Sequence, residues 1–196
     1  MKDEDSYMIA EVNRSVDVLR RGGVILYPTD TVWGIGCDPR DSSAVRRIFE
    51  IKQRAESKAL ILLAGSRAQI ENVTGSPIAE SIEQLILHST RPLTVIYTHA
   101  RGIAPELMAS DGSIAIRLSD EPFSRAMCLG FEFPVVSTSA NISGGPTPLS
   151  FADISVDIKE MVDYIADWNR TADTCGSKPS KIIKTAPDGT VTVIRE

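Results

Sequence analysis

Histidine and cysteine are scarce in this 196-residue chain. There are two histidines, His88 and His99, and three cysteines, Cys37, Cys128 and Cys175, all far apart. They build no Cys-x-x-Cys knot and no His-Glu-x-x-His helix, which excludes a disulfide framework and a protein-bound catalytic zinc, so no metal ligand is assigned. Long apolar runs are missing as well. The most apolar short runs, residues 24–27 and 59–64, fall far below the roughly 20 residues of a membrane-spanning helix, so no membrane is expected as a partner. A surplus of positive charge is also lacking: 21 Lys and Arg stand against 26 Asp and Glu, a net charge of -5. That argues against a surface given over to coating nucleic acid and leaves room only for a local basic pocket. No basic stretch followed by an apolar one opens the chain, so no secretory leader is expected and the cytoplasm is the expected compartment.

What is present is ordinary globular composition, 42% hydrophobic and 24% charged, which predicts a folded chain with a sizeable core and one domain over residues 1–196. Met8, Ile9, Val12, Val16 and Leu19 fall on one helical face, and Gly22-Gly23 supplies a stop. Residues 24–27 read as a buried strand, and a second follows at 32–35. Ser42 is read as the N-cap of a helix through Val45, Ile48, Phe49 and Lys52, and residues 60–63 as the next strand. Further along come a helix near 77–87, strands at 93–97 and 114–117, a helix near 122–129 and an apolar run at 134–136. Residues 151–163 are helix-like and 164–166 strand-like. Ile182-Ile183 and residues 191–194 flank Pro187-Asp188-Gly189, the signal of a closing hairpin. The alternation predicts a layered α/β architecture with a largely buried sheet.

Three segments offer chemistry. Tyr27-Pro28-Thr29-Asp30-Thr31 follows a buried strand, where two hydroxyls and a carboxylate could hold a small polar ligand; a self-satisfied Pro-Thr-Asp turn is the alternative. Gly34-Ile35-Gly36 lacks the third glycine of a dinucleotide fingerprint, and no phosphate-loop motif occurs. Residues 52–58 carry Lys52, Arg54 and Lys58, cations that suit a polyphosphate or merely a helix C-terminus. In Ser137-Thr138-Ser139-Ala140-Asn141-Ile142-Ser143-Gly144-Gly145-Pro146-Thr147 a strand runs into five hydroxyls, an amide and two glycines, groups that hold phosphate or carboxylate oxygens without a cage of charges. No Gly-x-Ser-x-Gly elbow is present and neither histidine sits in a motif, so the hydroxyls are read as binding groups and no catalytic nucleophile is assigned.

Gly22-Gly23-Val24-Ile25-Leu26-Tyr27-Pro28-Thr29-Asp30-Thr31-Val32-Trp33-Gly34-Ile35-Gly36, then Lys52-Gln53-Arg54, Pro92-Leu93-Thr94, Ile114-Ala115-Ile116-Arg117 and Ser137-Thr138-Ser139-Ala140-Asn141-Ile142-Ser143-Gly144 resemble the YrdC/TsaC family in order and spacing. The resemblance implies a YrdC-like single domain, a twisted mixed β-sheet with helices packed on it. It also implies the family's reaction: L-threonine, bicarbonate and ATP, with Mg2+ carried on the phosphates, give threonylcarbamoyl-AMP and pyrophosphate. A threonylcarbamoyl transferase complex then serves tRNA adenosine in the anticodon loop.

Residue by residue, the resemblance places Thr31, Arg117, Ser137 and Ser180 at threonine. It places Lys52, Arg54, Lys58, Ser113, Ser139, Asn141, Thr147 and Arg195 at ATP, with Lys52 and Arg54 positioning and neutralising charge. Leu63 stands where the family often has His, Thr90-Arg91 replaces a common Pro-Gly, and Lys181 and Lys184 replace Thr and Asp. A non-catalytic module of the same fold binding tRNA or double-stranded RNA is the competing reading, which the net charge and the hydroxyl-rich segment disfavour.

Overall fold

The computed structural model describes residues 2–53, 60–171, 179–186 and 190–196. Arg54, Lys58, Cys175 and the Pro187-Asp188-Gly189 turn lie outside the described residues. Six α-helices are present among the described residues: α1 (Lys2–Arg20), α2 (Ser42–Ile51), α3 (Arg67–Thr74), α4 (Glu80–His88), α5 (Pro122–Phe131) and α6 (Val156–Met161). They alternate with nine strands: β1 (Ile25–Tyr27), β2 (Gly34–Gly36), β3 (Ile61–Ala64), β4 (Leu93–Tyr97), β5 (Ile114–Leu118), β6 (Val135–Ser139), β7 (Tyr164–Ile165), β8 (Lys181–Thr185) and β9 (Val191–Arg195). No described helix is long and apolar enough to cross a membrane.

Local chemistry explains most boundaries. α1 buries Val12, Val16 and Leu19 and packs on α5; it stops where Gly22 takes a φ of 75°, a conformation glycine adopts without a Cβ penalty. Asp41, not Ser42, caps α2, its carboxylate accepting from Ser43 N at 2.8 Å and Ala44 N at 3.2 Å. The segment expected to be one helix at 77–87 is preceded by an unexpected one: Ser66 caps α3 and Gly75, at φ 75°, ends it. In residues 151–163 only Val156–Met161 is α-helical.

The sheet is mixed and runs β7-β1-β2-β6-β3-β5-β4-β8-β9. β3 is parallel to β5 and antiparallel to β6, while β4 is antiparallel to β5 and parallel to β8. Side chains directly opposite one another share a face of a sheet. The pairs Gly34 with Ser139, Ile61 with Ser137, Leu63 with Arg117, Arg117 with Thr94, Thr94 with Ile182 and Ile182 with Arg195 therefore run along one face. The residues between them, Ile35, Val136, Leu62, Ile116, Val95 and Ile183, lie on the other face and are all buried apolar side chains. One face makes the core, and the other carries hydroxyls and two arginines.

Candidate active site

The polar face opens into a cavity of about 340 Å³. Its first wall is the turn after β1. Thr29 Oγ1 donates to Val32 O at 2.7 Å and accepts from Thr31 N at 3.1 Å, which folds the chain back on itself and sets Thr29 and Thr31 into the cavity wall. β2 returns beside it with almost no room: a Cβ on Gly34 would meet Thr29 Cγ2 at 3.2 Å and Ser137 Oγ at 3.3 Å. The glycines of Gly34-Ile35-Gly36 are thus packing residues.

Arg117, at the end of β5, is the charge within this wall. Its side chain is 5% exposed, and Nη2 lies 2.9 Å from Asp30 Oδ1. Arg117 Nε and Asp30 Oδ1 are each buried with no hydrogen-bond partner among the described residues, so the pair is held by charge rather than by a directed hydrogen bond. Burial raises the Asp30 carboxyl above its ordinary range, and Arg117 works against that rise. Across the sheet, Thr94 Oγ1 and Ser180 Oγ are 2.9 Å apart, and Arg195 donates through Nη2 and Nε to Ser180 O at 2.8 Å and 3.1 Å. Arg195 is held below the usual guanidinium range by burial and then by the charges of Arg117 and Arg91. Positive charges gathered around one guanidinium favour an anion among them.

The third wall is the loop after β6, and Lys52 builds it. Its ammonium donates to Ser139 O and, at 2.8 Å, to Asn141 O, while Ser143 N donates back to Lys52 O at 2.8 Å. Asn141 is spent inside the same loop: Oδ1 accepts from Ser139 Oγ, and Nδ2 donates to Ile142 O at 3.0 Å and Gly145 O at 2.9 Å.

Of the residues singled out from sequence, Thr31, Arg117, Ser137, Ser139, Thr147, Ser180 and Arg195 line one cavity. Three do not. Lys52 is 1% exposed and anchors the 139–145 loop from behind, outside the cavity lining. Asn141 is likewise a loop-builder. Ser113 lies on the same face of β5 as Arg117, roughly 13 Å away by strand rise, and its Oγ donates to Asp111 Oδ1. Leu63 is fully buried outside the lining. Sequence reasoning gave no role to Thr94, which lines the cavity, nor to the pairing of Asp30 with Arg117; Pro92-Leu93-Thr94, a motif without a charge, was the only signal for the first.

The family model Sua5/YciO/YrdC, described as telomere recombination, matches residues 17–196. The chain belongs to the Sua5/YciO/YrdC family. Among proteins of this family, the threonylcarbamoyl-AMP synthase of Chromohalobacter salexigens is 38% identical over 151 residues, covering 77% of this chain and 82% of the relative. That of Marinobacter nauticus is 36% identical over 185 residues, covering 93% and 95%. The crystal structure of P. abyssi Sua5 complexed with L-threonine superposes with a TM-score of 0.79 at 26% identity. It covers 98% of this chain, which in turn spans about half of that longer one, 54%.

Proposed function

We propose that this member of the Sua5/YciO/YrdC family is a threonylcarbamoyl-AMP synthase, a nucleotidyltransferase that joins L-threonine, bicarbonate and ATP and releases pyrophosphate. The observation that carries the reading is Arg117: a guanidinium buried in a hydroxyl-walled cavity, its Nε without a hydrogen-bond partner among the described residues, which suits a planar carboxylate. Thr31, Ser137 and Ser180 surround the amino acid on this reading, while Ser139, Thr147, Arg195 and the basic 54–58 segment take ATP, with Ser113 just before β5. Bicarbonate takes up a proton and loses water to give carbon dioxide, which the threonine amine takes up as a carbamate with loss of a proton. A carbamate oxygen then attacks the α-phosphorus as the bond to pyrophosphate breaks. No side chain needs to act as nucleophile, so the enzyme's contribution is alignment and charge stabilisation. Mg2+ enters on the triphosphate. The product passes, in the cytoplasm, to a transferase complex that acts on tRNA adenosine.

The test is pyrophosphate release from ATP and magnesium with bicarbonate, with L-threonine or L-serine as the amino acid. Threonine-dependent release supports the reading; none from folded protein that binds RNA transfers it to the non-catalytic module. Arg117→Ala is expected to raise the KM for threonine about 100-fold with a smaller change in that for ATP, since it removes a charge-assisted bidentate contact. Loss confined to ATP would exchange the two subsites.

A further inference from the structure

Asp30 sits between Thr29 and Thr31, yet it is absent from the cavity that both of them line. It lines instead a second cavity of about 230 Å³, together with Asp120, Leu118 and Arg91. The hydrogen bonds of Thr29 Oγ1 to Val32 O and from Thr31 N fix this division, because they lock the turn with its hydroxyl residues forward and its carboxylate behind. From there Asp30 Oδ1 reaches Arg117 Nη2 at 2.9 Å, with the two side chains 14% and 5% exposed.

We propose that Asp30 is a positioning residue for the amino-acid substrate: from behind the cavity it holds the Arg117 guanidinium in the orientation that receives the substrate carboxylate. This rests on the synthase reading of Arg117 given above. An arginine has many rotamers, and those that point away from a ligand must be given up when it binds. Arg117 is too buried for water to orient it, and Asp30 is its one carboxylate partner within ion-pair distance among the described residues.

Two effects oppose each other here. The Asp30 charge repels a substrate carboxylate, and the orientation it imposes attracts one. Orientation prevails, because the second cavity still offers Asp120 when Asp30 is lost, so an unheld guanidinium turns backward. The positive charge of Arg195, on the cavity side, presses it the same way, while Arg91, which lines the second cavity, opposes the turn.

The groups facing Asp30 are Arg117 on β5, Asp120 after it, Glu121 at the N-cap of α5, Tyr27 at the end of β1 and Arg91. Burial raises the Asp30 carboxyl, Arg117 lowers it and Asp120 raises it further. The pair is therefore intact above the folded-state pKa of Asp30 and lost as pH falls through it, so kcat/KM for threonine declines on the acid side. Glu121 is also raised by burial, and an Asp30→Asn variant separates the two: it removes the acid limb only if Asp30 is its source.

The decisive experiment measures threonine-dependent pyrophosphate release for the full chain and for Asp30→Asn, Asp30→Glu, Arg117→Ala and the Asp30→Asn/Arg117→Ala double variant. Asp30→Asn is expected to raise the threonine KM about 20-fold, with kcat within about 3-fold and the ATP KM unchanged. Asp30→Glu recovers part of the loss, and adding Asp30→Asn to Arg117→Ala changes the threonine KM less than about 2-fold. An unchanged threonine KM in Asp30→Asn, or a full additional loss in the double variant, overturns the proposal. So does a fall in kcat at constant KM, which would make Asp30 a proton acceptor. If Asp30→Asn does not fold, Asp30→Glu decides: a threonine KM equal to wild type with an unshifted acid limb overturns the proposal. Wild-type protein with no threonine-dependent release overturns the synthase reading itself, an outcome distinct from all of these.

Discussion

Lys52 carries a charge where solvent hardly reaches, and the two carbonyls it serves belong to the loop that walls the cavity. The sequence presents it as the first of three cations on a polyphosphate; the geometry makes it the bolt between the end of α2 and the loop after β6. Lys52→Ala strips Ser139 O and Asn141 O of a charged donor, a loss of about 3 kcal/mol. A fall in Tm of about 6 to 12 °C is expected, alongside a reduced kcat/KM for ATP. Thermal unfolding checks this: an unchanged Tm with lost ATP turnover would restore the direct phosphate role. Most hydroxyl residues of the site were legible because they cluster in short motifs, Thr94 being the exception. The partner of Arg117 was not, since an ion pair between positions 30 and 117 leaves no local trace in the sequence.

Among the elements, the short strand β2 is the least forgiving. A Cβ on Gly36 would stand 2.5 Å from Val136 O and 2.8 Å from Tyr27 Cε1, a clash against backbone and a fully buried ring. Gly36→Ala should therefore cost about 2 to 3 kcal/mol by forcing β2 away from β6, seen as a lower denaturation midpoint with an unchanged m-value; a midpoint equal to wild type would show that the sheet yields there. Buried strands such as β3, β4 and β5 were readable because continuous apolar runs bounded by turn residues have few other uses. α3 escaped because only Gln69, Ile70 and Val73 of its eight residues are buried, although Ser66 and Gly75 bracket it with cap residues. The helical pattern of residues 151–163 overran in turn: Ser150 N and Oγ both bond the Asp153 carboxylate, and this side-chain turn displaces the helix until Val156.

Over the whole molecule, carboxylates of both kinds set the response to acid. Asp111, bonded by Lys184 and Ser113, and Glu106, bonded by backbone, Ser42 and Arg46, are held below their ordinary values. Groups with a depressed folded-state pKa contribute stability that is present above the unfolded value, about 4, and lost as pH falls through the folded one. Asp30 and Glu121, raised by burial, act in the opposite sense, and their protonation partly offsets that loss. The Tm should accordingly hold from pH 8 to about 5 and drop below about 4, with a shallower drop in Asp111→Asn; a drop of equal steepness in that variant would remove Asp111 from the account. The layered α/β class was legible from the alternation of periods, but strand order was not, because β6 enters between β2 and β3 by contacts far apart in the chain.

That stitching reaches the cavity, whose wall is drawn from the turn at Thr29, from β5, from the loop at Thr147 and from Arg195 on the edge strand. A bound ligand thus clamps segments that otherwise open independently, and the protection it confers is shared among all of them. Backbone amides of β1 and β9, at opposite ends of the sequence, should slow their exchange with deuterated water together when the cavity fills.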